Sequence, residues 1–256
     1  MSRSFAEIAP RYDALRPLSS GDRDRLERMV LEAALAPEDL VVEVGCGTGR
    51  MTLPLAAMIP ARVMGVDSEA RMLDVARTKD AAGRVDWKRG SAYRPPVGDG
   101  AAALVLMVMV VHLLRQRVRA FGEARRILRP GGRLSVWTFT PKHVEQFYLN
   151  EFFPSIAIID RPRFPSVEVL AAELRRARFS DITIDVREEP RRLQIAEVVD
   201  RVRGRYISTL SVVPSLEYRL GLQQLEEMLA ADRSIALTQR SEWAVITARH
   251  TTASPE

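Results

Sequence analysis

Eleven residues, Leu40-Val-Val-Glu-Val-Gly-Cys-Gly-Thr-Gly-Arg50, limit what this chain can fold into more than any other stretch. The first five are apolar and rich in β-branched side chains except at Glu43, the pattern of a buried strand. Glycines at 45, 47 and 49 then mark a tight turn at the strand's carboxyl end, where backbone comes close to something. Met51 to Met58 reads as a helix, with Pro54 tolerable only in its first turn. Strand, glycine turn and helix start form the ligand-binding corner of an open α/β sheet.

The glycine spacing narrows the ligand. A dinucleotide fingerprint requires glycine at position 50, where this chain has Arg50. No Lys-Ser/Thr follows the glycines, which excludes a phosphate loop of the nucleotide-triphosphatase kind. The Glu43-x-Gly45-x-Gly47-x-Gly49 pattern instead resembles the first motif of the class I S-adenosylmethionine-dependent methyltransferases. The plainer reading of the same residues is a turn that lets a helix pack on a strand.

With 256 residues and 46% apolar content, the chain is long enough for one domain, or one domain with a sizeable insertion. The first nine residues lack the basic and apolar regions of a secretory signal, and the longest apolar run, Ala101 to Val111, is too short to span a bilayer. The single cysteine, Cys46, forms no internal disulfide, which fits a reducing cytoplasm. One cysteine and three scattered histidines give no metal-binding cluster. The net charge of +5 from 38 basic and 33 acidic residues is mild, and aromatics are only 6%, which argues against a nucleic-acid surface.

The segment after the first helix repeats the α/β alternation. Ala61 to Asp67 reads as a second strand, with Asp67 at its carboxyl end, 22 positions after Gly45. A carboxylate at that separation accepts hydrogen bonds from two vicinal ribose hydroxyls. Its bland alternative is a cap for the helix that runs from Ser68 to about Lys79. Arg84 to Arg89 is the third strand, and the apolar run from Ala103 to Val111 reads as a central parallel strand ending near His112. A helix from Gln116 to Leu128 stops at Arg129-Pro-Gly-Gly132 and turns into the strand Arg133 to Phe139.

Further residues extend the resemblance across about residues 5 to 140. Phe5-Ala-Glu-Ile-Ala-Pro-Arg-Tyr-Asp-Ala-Leu-Arg-Pro17 is similar to the amino-terminal lid of small-molecule methyltransferases, and Glu123-Ala-Arg-Arg-Ile-Leu-Arg-Pro-Gly-Gly-Arg-Leu134 to their late structural landmark. The resemblance implies a Rossmann-like open sheet, mostly parallel with an antiparallel last strand, helices on both faces and a helical lid. It implies S-adenosyl-L-methionine as cofactor, contacted by Tyr12, Arg16, Glu43, Gly45, Cys46, Gly47, Gly49, Asp67, Ser68, Met72, Gly90, Ser91, Ala92 and Met109. Glu43 would fix the methionine amino group, directly or through water. Relatives usually have an acid where this chain has Ser91, and often another where it has Ala103. The Ala92 backbone and the Tyr93 ring are then expected to support the adenine. His112 stands where relatives have a histidine beside the reacting methyl, as base or as pocket wall.

Beyond Phe139 the reading rests on pattern. Pro141 to Pro165 is an aromatic-rich irregular segment placed to wall a pocket, a helix runs from Ser166 to about Arg178, and Phe179 to Val186 alternates like a strand. An insertion from about 189 to 239 carries two helices, and the last strand is Glu242 to Arg249, before frayed final residues. The four expected regions are 1–36 (lid and first helix), 37–188 (core), 189–239 (helical cap) and 240–256. The expected substrate contacts are Tyr12, His112, Phe139, Tyr148, Arg203 and Tyr206, because arginine forks hold a carboxylate or phosphate. The same arginines also fit a solvated helix face.

The expected function is methyl transfer to oxygen, nitrogen or carbon of a small-molecule acceptor, by a cytoplasmic monomer or homodimer. Two alternatives stay open. One is an RNA or protein methyltransferase, against which stands the lack of an Asn-Pro-Pro-Tyr acceptor motif. The other is a protein that binds the cofactor without transferring methyl, such as a cyclase or scaffold.

Overall fold

Alternating strands and helices build a seven-stranded sheet, described by a computed structural model over residues 5–251. The reading of the last residues as frayed lies outside that range. In chain order, α1 (Phe5–Ile8), α2 (Tyr12–Leu15) and α3 (Ser20–Ala33) precede β1 (Leu40–Val44), α4 (Thr52–Met58), β2 (Arg62–Asp67), α5 (Ala70–Lys79) and β3 (Val85–Arg89). Then come β4 (Ala102–Val108), α6 (Arg117–Ile127), β5 (Leu128–Phe139), α7 (Pro141–Glu145), α8 (Ser155–Asp160) and α9 (Val167–Arg176). The chain ends with β6 (Ser180–Gln194), α10 (Ile195–Arg203), α11 (Ser215–Ala231) and β7 (Ala236–Arg249).

The strand order is β3-β2-β1-β4-β5-β7-β6. Strands β1 to β5 are parallel to their neighbours, and Val41 of β1 pairs with Val63 on one side and Leu104 on the other. The order reverses between β1 and β4, the place where open α/β sheets bind ligands. Strand β7 runs antiparallel to β5: Gly131 N–H donates to His250 O at 2.7 Å, and Thr140 N–H donates to Glu242 O at 3.2 Å.

The chain divides into two compact units. The sheet unit comprises Leu18–Thr138, Ser166–Asp185 and Ala244 onward. Its strands alternate sides. Val42, Val105, Met107 and Val136 pack with Phe121 and Ile127 of α6 and with Leu170 and Leu174 of α9. Val41, Leu104, Leu106 and Trp137 pack with Leu26 and Met29 of α3 and Leu55 of α4. Both faces are therefore covered, as a parallel sheet requires.

The helical unit comprises the residues up to Pro17, with Phe139–Pro165 and Val186–Trp243. It has its own core of Leu15, Leu149, Phe152, Phe153, Ile156, Val198, Val199, Val202, Tyr206, Leu210 and Leu225. The four-part division read from sequence thus has other limits here: α3 belongs to the sheet unit, and 139–165 joins the helical unit.

Several local expectations are corrected. Helix α3 is capped by Ser19 in a capping box with Asp22. The Ser19 hydroxyl accepts from Asp22 N–H at 3.0 Å, and the Asp22 carboxylate accepts from Ser19 N–H, also at 3.0 Å. Strand β4 ends at Val108, because Met109 turns left-handed (φ 54°) and donates to Trp137 O. His112 therefore sits on a 3₁₀ turn, Val111–Leu113, past the strand. The 141–165 segment is wound into α7, a 3₁₀ turn and α8, since Leu149, Phe153 and Ile156 fall at helical spacing and are buried. Strands β6 and β7 run further than expected. The β6 extension is mostly charged and exposed up to buried Leu193, and Arg240 of β7 pairs with its Glu188 at 2.9 Å, so little apolar alternation betrays it.

Candidate functional site

The three glycines after β1 all have left-handed φ values: 80° at Gly45, 56° at Gly47 and 73° at Gly49. They do different work. A Cβ at Gly45 would lie 2.3 Å from Val110 Cγ2, and one at Gly49 would lie 2.5 Å from Trp87 Cη2. Those two positions are closed by the protein's own packing. A Cβ at Gly47 would meet nothing within 4 Å, so the turn is open to a ligand there.

Asp67 holds that open point. Its Oδ2 accepts from Gly47 N–H and its Oδ1 from Glu69 N–H, each at 2.8 Å. Burial pushes the Asp67 carboxyl upward, against the pull of these backbone donors. A carboxylate has about four lone-pair sites, so two remain for vicinal hydroxyls. Helix α5 is capped by Glu69, whose carboxylate accepts from Arg71 N–H at 3.4 Å, rather than by Asp67, which bonds the capping residue's own N–H. Ser68 follows it, and Met72 is buried at the start of α5.

Glu43 is buried at the end of β1. It is 2% exposed, and its Oε2 accepts from the Thr52 hydroxyl at 2.5 Å. Burial raises its carboxyl to about 7. It ties the end of β1 to the first residue of α4. Cys46 is buried, and burial pushes its thiol far up, so it is an inert wall.

On the neighbouring strand, Gly90 is closed by Pro96 and Val66, and its N–H donates to Asp67 O at 2.9 Å. The Ser91 hydroxyl accepts from Tyr93 N–H at 3.2 Å and keeps its own proton for another acceptor. The Tyr93 hydroxyl accepts from Arg115 and Gln116 N–H, which fixes the ring beside half-buried Ala92. Met109 and half-buried His112 follow the end of β4. Gly45, Gly47, Asp67, Ser91, Met109 and His112 all belong to the sheet unit, at the carboxyl ends of β1, β2, β3 and β4.

Two supports escape a reading of the sequence. Trp87, held by its Nε1–H to Asp80 at 3.1 Å, covers both Gly49 and Gly65. Arg50 donates to buried Asp22 at 2.9 Å, and Arg25 donates to the same carboxylate at 2.8 Å. Burial works to raise the Asp22 carboxyl, but Arg50, the Ser19 N–H and Arg25 hold it below its usual range. The glycine turn is thereby tied to the start of α3. Arg50 is visible in the motif, but its partner lies 28 residues away, with no pattern linking them.

The helical unit gathers a second group. Arg16 Nε donates to Tyr206 O at 2.8 Å, and its Nη1 to the Tyr12 hydroxyl at 3.1 Å. The Tyr148 and Tyr206 hydroxyls are 3.0 Å apart. Burial keeps both phenols protonated. Phe139 stacks on buried His143 at 3.8 Å, and contacts run on through Phe147 to Tyr148. Arg203 does not join them. Its guanidinium pairs with Glu226 at 2.8 Å on the surface, and Arg201 lies beside Tyr206 instead, 5.6 Å from the ring centre.

Residues 41–132 match the methyltransferase domain family. The chain is 37% identical over 141 residues to the ubiquinone/menaquinone biosynthesis C-methyltransferase of Syntrophotalea carbinolica, covering 53% of this chain and 60% of that protein. It is 32% identical over 166 residues to its namesake in Geotalea daltonii, covering 59% and 71%. The chain thus spans about two thirds or less of the first of these relatives. Among solved structures, a methyltransferase from an antibiotic biosynthesis pathway of Anabaena variabilis superposes with a TM-score of 0.65 at 17% identity, over 87% of this chain and 96% of that one, a likeness of fold alone. With the order-reversed sheet, the open glycine turn and the carboxylate of Asp67 beside it, these matches place the chain among the class I S-adenosylmethionine-dependent methyltransferases.

Proposed function

We propose that the chain transfers the methyl group of S-adenosyl-L-methionine to a nucleophilic oxygen, nitrogen or carbon of a small-molecule acceptor, leaving S-adenosyl-L-homocysteine. The observation that carries this reading is the open point at Gly47 with the Asp67 carboxylate bonded to its N–H. An adenosyl ribose fits there. Asp67 takes the two ribose hydroxyls, Ser91 and the Ala92 backbone take the adenine edge, and Met72 lines the base. The cofactor supplies an already activated sulfonium methyl.

The protein's task is then alignment. Holding donor and acceptor roughly 3 Å apart and in line supplies several kcal/mol of the barrier. His112, at the carboxyl end of β4, takes the acceptor's proton where the acceptor does not lose it to water. Acceptor choice belongs to the helical unit, through Tyr12, Phe139, Tyr148 and Tyr206. The matched family segment, residues 41–132, lies wholly in the sheet unit. It therefore supports the cofactor end, and the relatives' quinone chemistry is a first panel of acceptors rather than an assignment. No helix of the described residues is long and apolar enough to cross a membrane.

Calorimetry with S-adenosylhomocysteine tests the cofactor site directly, and labelled cofactor with quinone-precursor and hydroxy-acid acceptors tests transfer. Absence of S-adenosylhomocysteine binding defeats the proposal. Binding without transfer to any small molecule favours a cofactor-binding protein that does not methylate.

A further inference from the structure

The arginine–tyrosine group of the helical unit is built in a way that packing alone does not require. The guanidinium carbons of Arg16 and Arg201 lie 5.8 and 5.6 Å from the centre of the same ring, Tyr206. That ring is 7% exposed and Arg201 is 6% exposed. The carboxylate paired with this group is Glu197, which takes Arg201 at 2.6 Å and is shared with Arg191 at 2.9 Å. Arg191 and Arg201 therefore share one carboxylate, while Arg16 adds a further guanidinium at the same Tyr206 ring. Among the described residues Arg16 pairs with no carboxylate; its Nε and Nη1 are held by the Tyr206 carbonyl and the Tyr12 hydroxyl.

The hydrogens lead to the same place. The Arg201 charge acts on the Tyr148 phenol, and the Tyr148 and Tyr206 hydroxyls share one hydrogen bond. Two phenols carry two O–H hydrogens. One bond between them uses one, so one buried O–H remains for an acceptor. Two guanidiniums at one ring, plus a surplus phenol donor, are the complement of an oxygen anion.

We propose that Arg16, Arg201 and the Tyr148–Tyr206 hydroxyl pair bind an oxyanion, the carboxylate or phosphate of the methyl acceptor. The acceptor is then an acidic small molecule. This rests on the reading that the helical unit recognises the acceptor, and it gives Arg16 to the acceptor rather than to the cofactor's own carboxylate.

The test uses the full chain, inorganic phosphate and benzoate as probes, and calorimetric titration at constant ionic strength with chloride as the reference. Saturable millimolar binding of phosphate, of benzoate or of both supports the site, and the preferred probe names the acid. The expected loss is at least about tenfold in Arg16→Gln and in Tyr206→Phe. Arg201→Met should lose binding too, and the half-exposed Arg16 keeps the test decisive if that buried variant fails to fold. S-adenosylhomocysteine is titrated in parallel and should bind Arg16→Gln as it binds the parent. Parent protein that binds neither anion above the chloride reference, while binding S-adenosylhomocysteine, overturns the proposal and leaves the methyltransferase reading intact. Arg16→Gln that loses S-adenosylhomocysteine but keeps the anion assigns that arginine to the cofactor and also overturns it. Loss of S-adenosylhomocysteine binding by the parent itself strikes the proposed function instead.

Discussion

Replacing Glu43 by glutamine should remove a pH dependence of stability that the fold builds in. The carboxyl is 2% exposed and accepts one bond from Thr52, so burial dominates and raises its proton affinity from 4.5 to about 7. At about 1.4 kcal/mol per pK unit, that is about 3 kcal/mol of differential stability. The sign follows from proton linkage. The native state holds the proton more tightly than the unfolded chain, so stability from this group is full below pH 4.5 and is lost as pH rises through about 7. The amide introduced by Glu43→Gln keeps an acceptor for the Thr52 hydroxyl and cannot ionise. Urea unfolding of both proteins across that range, followed by tryptophan fluorescence, measures the difference, since Trp87 and Trp137 lie in the sheet unit. The parent should lose about 3 kcal/mol relative to Glu43→Gln between the two ends. Parallel stability curves would show that the carboxyl is hydrated in solution and that it does not clamp α4 from a dry site.

Other perturbations separate support from ligand contact. Asp67→Ala should weaken S-adenosylhomocysteine binding roughly 10- to 100-fold by calorimetry, because a charged acceptor of two hydroxyls is lost; unchanged affinity would remove Asp67 from the site. Gly45→Ala drives a methyl into Val110 and should cost about 1–3 kcal/mol of stability. Gly47→Ala meets no atom and carries only the left-handed backbone cost of about 1–2 kcal/mol, but should abolish most cofactor affinity; the opposite pattern would reverse the assignments. Arg50→Met leaves Asp22 with Arg25 alone and should cost about 1–3 kcal/mol in urea unfolding at neutral pH. Asp22's proton affinity is depressed, so its stabilisation is present above pH 3.8 and fades as pH falls further; a loss that persists undiminished in stronger acid would argue against the charge interaction.

What is legible in the sequence is local and repeated. The β1 corner, Asp67 at the end of β2 and the Pro-Gly-Gly entry to β5 each lie within one short stretch whose composition suffices. The end of β4 is misplaced by sequence because the run through Val111 stays apolar, while the break is a backbone turn at Met109 that composition does not mark. The extension of β6 is hidden because its run of charged, mostly exposed residues lacks apolar alternation. The choice of Arg201 over Arg203 depends on which side of α10 packs against Tyr206, and a two-residue offset on a helix turns a side chain through about 200°. Glu43 stands out in its apolar run, but its partner Thr52 arrives from the next helix, which no local pattern marks.

The helical unit is assembled from three stretches of chain separated by parts of the sheet, its core joining Leu15, Phe153 and Val202. No single cassette therefore contains it. A chimera that grafts only the α10–α11 region from another methyltransferase would bring in foreign helices while keeping the native Leu15 and Phe153 against them. Exchange of the helical unit by recombination requires crossovers flanking all three stretches together, and libraries confined to one of them will mostly sample mispacked hybrids.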